Sequence, residues 1–218
     1  MKWTQYGLTL SLLAESEIEM VRYWRNHPDV SRFMEYRQYI SADMQQQWFA
    51  GINNTKNFFF IIEHQTIPIG LISTTNIDWQ GKSAECGIFV WNEKAAGSHV
   101  PVFAVLAMLN FVFWVLRLQT TYIKVHRENQ KAKRYNQALG YQLIDDDKNL
   151  TSDFQLYQLT KAVFIQKTTI LRQLGSKTYG DKAVLELKNT PHDSSVNQLL
   201  KESSTGFDKP FELSVNYL

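Results

Sequence analysis

The 218-residue chain is 44% hydrophobic and 13% aromatic, enough to bury the core of one ordinary domain with room for an appendage. Its 23 Lys and Arg stand against 21 Asp and Glu; the resulting charge of +2 excludes a dedicated nucleic-acid binder with a concentrated basic face, yet allows a small phosphate-recognising pocket. Cys86 is the single cysteine, which excludes intrachain disulfides and cysteine zinc sites, and His27, His64, His99, His126 and His192 lack ligand-pair spacing, so no metal is expected.

Leu8–Leu13 alternates as a first strand and is too short and interrupted for a secretory signal, so a cytoplasmic protein is expected. Ser16 is placed to cap a helix running to about Asn26, with Ile18, Val21 and Trp24 at three-residue steps and Pro28 just beyond. After the aromatic-rich stretch Asp29–Ile40, Ser41 is placed to cap a second helix with Met44, Trp48, Phe49 and Ile52 on one face. Then the period changes. Phe58–Ile62, Ile67–Ile77 and Ala84–Trp91 read as an antiparallel meander, with turns at His64-Gln65 and Gly81.

Val100–Leu116 carries no charge and approaches the lower limit of about 17 residues for a spanning helix, but Asn110 interrupts it and Pro101 suits a first turn. A buried core helix is expected, with no membrane partner. A strand at Tyr122–Val125 and a helix at Gln130–Leu139, stopped by a left-handed Gly140, follow. Tyr141–Ile144 and Phe154–Leu159 close the series as a hairpin around an acidic turn, Asp145–Asp147. Residues 1–162 therefore read as the main domain. Residues 163–218 form an extension that packs on it or on a second copy in a homodimer, with a helix at Val163–Leu174, a strand at Ala183–Leu187 and a helix at Ser194–Glu202.

The junction Phe89–Pro101 is a strand, a loop with Gly97, and a helix start. Unpaired main-chain N–H groups at such a start accept anions, although one glycine before a helix is a weak signal alone. Downstream, Asn129, Ala132, Gly140 and Tyr141 spell N-x-x-A-x(7)-G-[YF] between two strands. This spacing resembles the fourth conserved segment of the GNAT acyltransferases, and the element order is similar to theirs. Trp24-Arg25-Asn26-His27-Pro28, Pro68-Ile69-Gly70, Thr75–Ile77 and Glu85-Cys86-Gly87-Ile88 narrow the resemblance to N-acetyltransferases of nucleotide-linked amino sugars, as in the pseudaminic-acid pathway. The likeness spans roughly residues 8 to 162.

The resemblance implies an α/β (α+β) GNAT fold: a mixed, mostly antiparallel sheet flanked by helices. It implies acyl-CoA as cosubstrate, in a wedge between two diverging strands. The pantetheine would pair with Phe89, Val90 and Trp91, and the pyrophosphate would meet Ala96, Gly97, Ser98, His99 and Val100, with Asn129 nearby. It also implies direct transfer to an amine, for which a carboxylate base is wanted. Glu85, in an otherwise apolar strand, is the first candidate, against the alternative of a salt-bridged strand residue. His126 is the second, or a structural histidine. Where family members carry a thiolate-protonating tyrosine this chain has Asn136, with Tyr135 one place earlier; an amide donates a hydrogen bond but is no practical acid.

The resemblance further assigns the acceptor to Arg25, Phe33, Met34, Tyr36, Gln45, Trp48, Thr75 and Asn76; the alternative makes Trp24, Phe33 and Trp48 core and Arg25 a surface ion pair. Gln45 and Asn76 stand where the pseudaminic-pathway enzymes carry a histidine and a lysine, which favours a dTDP-linked amino-dideoxy sugar over a UDP-linked one. A protein N-terminus as acceptor, or a non-catalytic coenzyme A-binding module, are the competing readings. Cys86 reads as a small buried residue.

Overall fold

A computed structural model describes residues 1–145, 152–188, 190–201 and 210–218. In chain order they form β1 (Lys2–Gln5), β2 (Leu8–Leu12), a 3₁₀ turn (Glu15–Glu17), α1 (Ile18–Asn26), α2 (Pro28–Ser31), α3 (Ala42–Ile52), β3 (Phe58–His64), β4 (Ile67–Asp78) and β5 (Ser83–Val90). There follow α4 (Glu93–Ala96), α5 (Val100–Asn110) running into a π-helical turn (Phe111–Val115), β6 (Thr120–His126), α6 (Gln130–Leu139), β7 (Gln142–Asp145) and β8 (Phe154–Thr160). The series ends with α7 (Lys161–Lys167), which spans the expected boundary at residue 162, then α8 (Thr169–Tyr179), β9 (Lys182–Leu187), α9 (Pro191–Lys201) and β10 (Glu212–Tyr217).

All the described strands join one mixed sheet, in the order β10-β9-β1-β2-β3-β4-β5-β6-β8-β7. The meander β3–β4–β5 and the hairpin β7–β8 pair as expected. Asp146 and Asp147 of the expected acidic turn, like Glu202, lie outside the described residues. Ser41 does cap α3, its Oγ accepting the Met44 N–H at 3.2 Å, and Gly140 ends α6 in the left-handed region at φ 103°. Ser16 does not cap α1. It lies inside the 3₁₀ turn, where the Glu17 carboxylate reaches back to the Ala14 N–H at 2.8 Å and closes the helix entry instead.

The uncharged run becomes α5 and the π turn, buried on every side because the sheet covers one face and the extension the other. Trp3 of β1 donates its indole N–H to the Ala107 carbonyl at 2.9 Å, and Asn110 donates to Gln5 Oε1 at 2.9 Å and to Tyr6 Oη at 3.2 Å. On the outer face Phe164 of α7 packs on Phe113, with ring centres 5.3 Å apart, and Phe211 packs on Trp114 at 6.0 Å. A helix apolar all round needs such an enclosure. Among the described residues no helix is long and apolar enough to cross a membrane.

The extension continues the same sheet. β9 pairs antiparallel with β1 (Trp3 opposite Leu185), and β10 adds on in parallel. The helix expected over Val163–Leu174 is two helices. They break at the buried Thr168, whose hydroxyl donates to the Phe164 carbonyl at 2.6 Å and accepts from Arg172 Nε at 3.1 Å.

Candidate active site

The sheet parts at one place. β5 pairs with β4 from Glu85 to Val90, and β6 pairs with β8 from Thr120 to His126. Between β5 and β6 the parallel register covers Ser83–Thr120, Ala84–Thr121 and Glu85–Tyr122, and then stops. Beyond Glu85 the two strands diverge, which leaves the main chain of Cys86–Val90 free to pair with something extended lying in the gap. The sheet period of two gives this gap two unlike sides. Cys86, Ile88 and Val90 pack into the main core below α5, whereas Phe89 joins the cluster of α1 and α3; Gly87 and Glu85, two and four residues earlier, share its face.

Glu85 sits at the vertex of the gap, half-buried, with Oε1 accepting a hydrogen bond from Asn76 Nδ2 at 3.2 Å. The neighbouring cation, Lys124, spends its salt bridge on Glu35 at 3.1 Å. That hydrogen bond raises the Lys124 ammonium above its ordinary value, and the charges of Glu35 and Glu85 add to the effect. Glu85 is thus held by an amide. Thr75 faces it across the β4–β5 ladder. Gly87, exposed and without a side chain, leaves a slot between the carboxylate and the Phe89 ring. Arg25 closes that end: its guanidinium lies 5.9 Å from the Phe89 ring centre, and burial lowers it from its ordinary value. Trp24, stacked on Trp91 with ring centres 5.9 Å apart, fixes α1 against the end of β5 and so fixes Arg25.

The stretch between α2 and α3 forms the far wall, pinned to β6 by Lys124–Glu35 and to the residue just before β8 by Arg37–Asp153 at 2.8 Å. Phe33 rests against His126 at 5.7 Å and Met34 is half-buried beside it in sequence. Tyr36 lines an open depression of about 590 Å³ together with Arg37, Asp153 and Phe154. His126 itself is buried between Phe33 and Phe154. Its Nδ1 accepts the Glu128 N–H at 3.2 Å, which puts the ring proton on Nε2, 4.0 Å from Asp153 Oδ2. With its lone pair so engaged, the ring is a post for the wall.

Four residues picked from the sequence are engaged within the protein. Gln45 is buried and donates to the Ile18 carbonyl at 3.0 Å, a strut between α3 and α1 turned away from the gap. Trp48 packs edge-on to Phe59 at 5.1 Å inside the same cluster. Tyr135 donates its hydroxyl to the Pro101 carbonyl at 3.0 Å, and burial pushes the phenol far above its ordinary value. Asn136 donates back to the Ala132 carbonyl of its own helix at 2.9 Å. The Tyr135 hydroxyl is thus spent on Pro101, and one Asn136 amide proton on its own helix.

The loop ahead of α5 is compact. Asn92 Oδ1 caps the short α4, Lys131 Nζ donates to the Ala96 carbonyl at 3.2 Å, and Ser98 Oγ takes the Val100 N–H at 3.1 Å. Pro101 brings no N–H. Gly97, Ser98 and His99 are exposed, and Gly97, at φ −84°, needs no glycine-specific conformation. His99 Nε2 meets Tyr179 Oη of the extension at 3.0 Å. Asn129 caps α6, its Oδ1 accepting the Ala132 N–H at 3.0 Å. The sulfur of Cys86 lies 3.7 Å from Thr74 Oγ1, and burial pushes the thiol up to about 12, which makes it a poor nucleophile at neutral pH. Among the described residues no cluster of His, Cys, Asp and Glu is arranged to hold a metal ion.

Sequence reasoning missed Lys124, Glu35 and the slot at Gly87. The alternation Tyr122–Lys124–His126 on β6 carried the first of these; nothing local carried the pairing with Glu35, 89 positions away.

A sheet opened between two parallel strands, with free main chain on one lip and a carboxylate at the vertex, is the architecture of an acyl-CoA-dependent N-acyltransferase. The Acetyltransferase (GNAT) domain family matches residues 7–142, and the chain belongs to it. The acetyltransferase PseH of Campylobacter jejuni (strain 81-176) is 29% identical over 140 residues, 63% of this chain and 84% of that protein. Among solved structures, the spermidine N-acetyltransferase of Vibrio cholerae in complex with CoA and spermine matches with a TM-score of 0.67 at 20% identity, over 73% of this chain and 98% of that one. Apo FdhC, a nucleotide-linked sugar GNAT, matches with a TM-score of 0.66 at 19% identity, over 78% and 96%. At these identities the two structures speak for the fold.

Proposed function

We propose that the chain acylates the amine of a nucleotide-linked amino-dideoxy sugar, carried on dTDP or UDP, in the cytoplasm. One observation supports this above the others: on the acceptor side of the gap the half-buried Arg25 lies 5.9 Å from the Phe89 ring, on the face of β5 that also carries Gly87 and, beyond it, Glu85. A guanidinium donates to phosphate oxygens or pyrimidine carbonyls in a directed fork, and an aromatic ring covers the apolar face of a sugar or stacks on a base. Arg32 lies over the Phe33 ring at 4.8 Å on the same wall.

In this reading Glu85 takes a proton from the acceptor ammonium, directly or through one water. The freed nitrogen bonds to the thioester carbonyl carbon, gives up its second proton to solvent water, and the C–S bond breaks. A main-chain N–H of the unpaired Cys86–Val90 edge holds the oxyanion. The thiolate leaves toward solvent and is protonated there.

The test is thiol release from acetyl-CoA by the purified protein over a panel of dTDP- and UDP-linked amino sugars, polyamines and N-terminal peptides. Turnover confined to the sugars is expected, with an N-acyl sugar identified by mass. Turnover on peptides with none on sugars overturns the acceptor assignment, and tight acyl-CoA binding with no turnover on any amine overturns catalysis.

A further inference from the structure

We propose that Asn76 is a positioning residue for the Glu85 carboxylate. This rests on the reading of Glu85 as the base and extends it. Asn76 belongs to β4, where regular pairing with β5 lapses between Thr75 and Asp78. It is held at φ 52°, in the left-handed region that asparagine tolerates better than most residues. A bulge of this kind re-aims a side chain at the cost of a ladder bond, and here it directs the Asn76 amide across to Glu85 Oε1 at 3.2 Å.

The bulge has its own support. The Asn76 N–H, free of the ladder, donates to Asn57 Oδ1 at 3.2 Å. Asn57 is fixed in turn: its amide donates to Asn54 Oδ1 at 2.9 Å and its N–H to the Asn54 carbonyl at 3.1 Å. Its carbonyl meets Nε2 of the buried His192 at 2.9 Å, in α9 of the extension. The Asn76 side chain therefore donates from a braced backbone. Glu85 also feels Lys124, the Tyr122 phenol opposite it on β6, Cys86 beside it, and Glu35 through Lys124. Among these neighbours, the fixed amide donor holds one carboxylate oxygen in place.

The experiment is the pH profile of kcat/KM for two variants. Asn76→Gly keeps the left-handed backbone and removes the amide, and Asn76→Asp keeps the shape and replaces the donor with a second carboxylate. The acid limb moves up in Asn76→Gly, which removes the donor to the carboxylate. It moves further in Asn76→Asp, with the thermal midpoint and acetyl-CoA affinity near wild type in both. An acid limb unmoved in both variants overturns the proposal. Glu85→Gln is assayed alongside. If it turns over normally, the Glu85 reading itself fails; if it is inactive while the limb stays put in the Asn76 variants, the positioning role alone falls.

Discussion

On one side of the β5–β6 gap lie Cys86, Tyr135 and Tyr141, uncharged, with Tyr135 hydrogen-bonded to the Pro101 carbonyl and Tyr141 to Thr121 Oγ1 at 2.9 Å. On the other lie Glu85, Lys124, Glu35 and Arg25, half-buried or exposed, tied by ion pairs and amides to elements that arrive from four different parts of the chain. The first side is core that happens to border a gap, and its polar atoms are spent on the protein itself. The second is a surface assembled from a helix end, a loop and two strands, and its groups have directions to offer a ligand. Binding a cofactor by main chain asks little of side chains, whereas choosing an acceptor amine asks for several at once. The gap's two sides differ accordingly, and the contrast is open to attack from either.

The strongest attack is on the vertex. Glu85→Gln keeps the shape and the Asn76 contact but cannot take a proton, and kcat is expected to fall by about 10²- to 10³-fold, the usual range for losing a positioned base. Calorimetry with acetyl-CoA should give wild-type affinity, because that ligand is assigned to the other side. Full activity would remove the carboxylate from the chemistry. Next in size is Arg25→Ala. A charge-assisted contact to phosphate or carbonyl is worth roughly a ten- to hundredfold change in the KM of the nucleotide sugar. The KM of acetyl-CoA should stay put. A parallel rise in both constants would mean that Arg25 only braces α1.

How much of this contrast could be read from residues alone differs between the sides. Glu85 draws notice as the one charge in an otherwise apolar strand, a signal that lies within a single short window. The Gly140 stop and the Ser41 cap are local chemistry and were legible for that reason. Helix phase served less well in α3: Met44 was placed on the inner face, yet it is 40% exposed while Gln45 is buried. The amide could sit inside because the Ile18 carbonyl waits for it, a partner 27 positions away that no window contains. β1 was missed because its four residues alternate too briefly, and β10 because a parallel edge strand depends wholly on β9 being there first. The wall of the acceptor side, built from Lys124–Glu35 and Arg37–Asp153, is likewise a set of distant pairings between ordinary surface residues.

The neutral side predicts small effects. Tyr135→Phe is expected to change kcat by less than about twofold, since the hydroxyl serves the Pro101 carbonyl, and to cost about 1 kcal/mol in chemical denaturation for the hydrogen bond lost. A fall in kcat of more than tenfold at unchanged stability would return Tyr135 to the role of thiolate acid, and would make the neutral side part of the proton traffic.

The smallest effect belongs to Cys86, which borders the gap and has a nucleophile's chemistry without a nucleophile's surroundings. Its thiol is held up to about 12 by burial, against a starting value of 9.0. Thiolate is therefore scarce in the folded protein until pH approaches 12, while in the unfolded chain it forms near 9. The sign follows: the native state is favoured by this group below pH 9, and that contribution is lost as pH rises from 9 toward 12. Iodoacetamide at pH 8 should leave Cys86 unmodified in the native protein and alkylate it fully in denaturant, as intact mass will record, and Cys86→Ala should keep wild-type kcat. Rapid native alkylation that abolishes turnover would show a reactive thiol on the side of the gap described here as inert, and the division between the two sides would then be drawn in the wrong place.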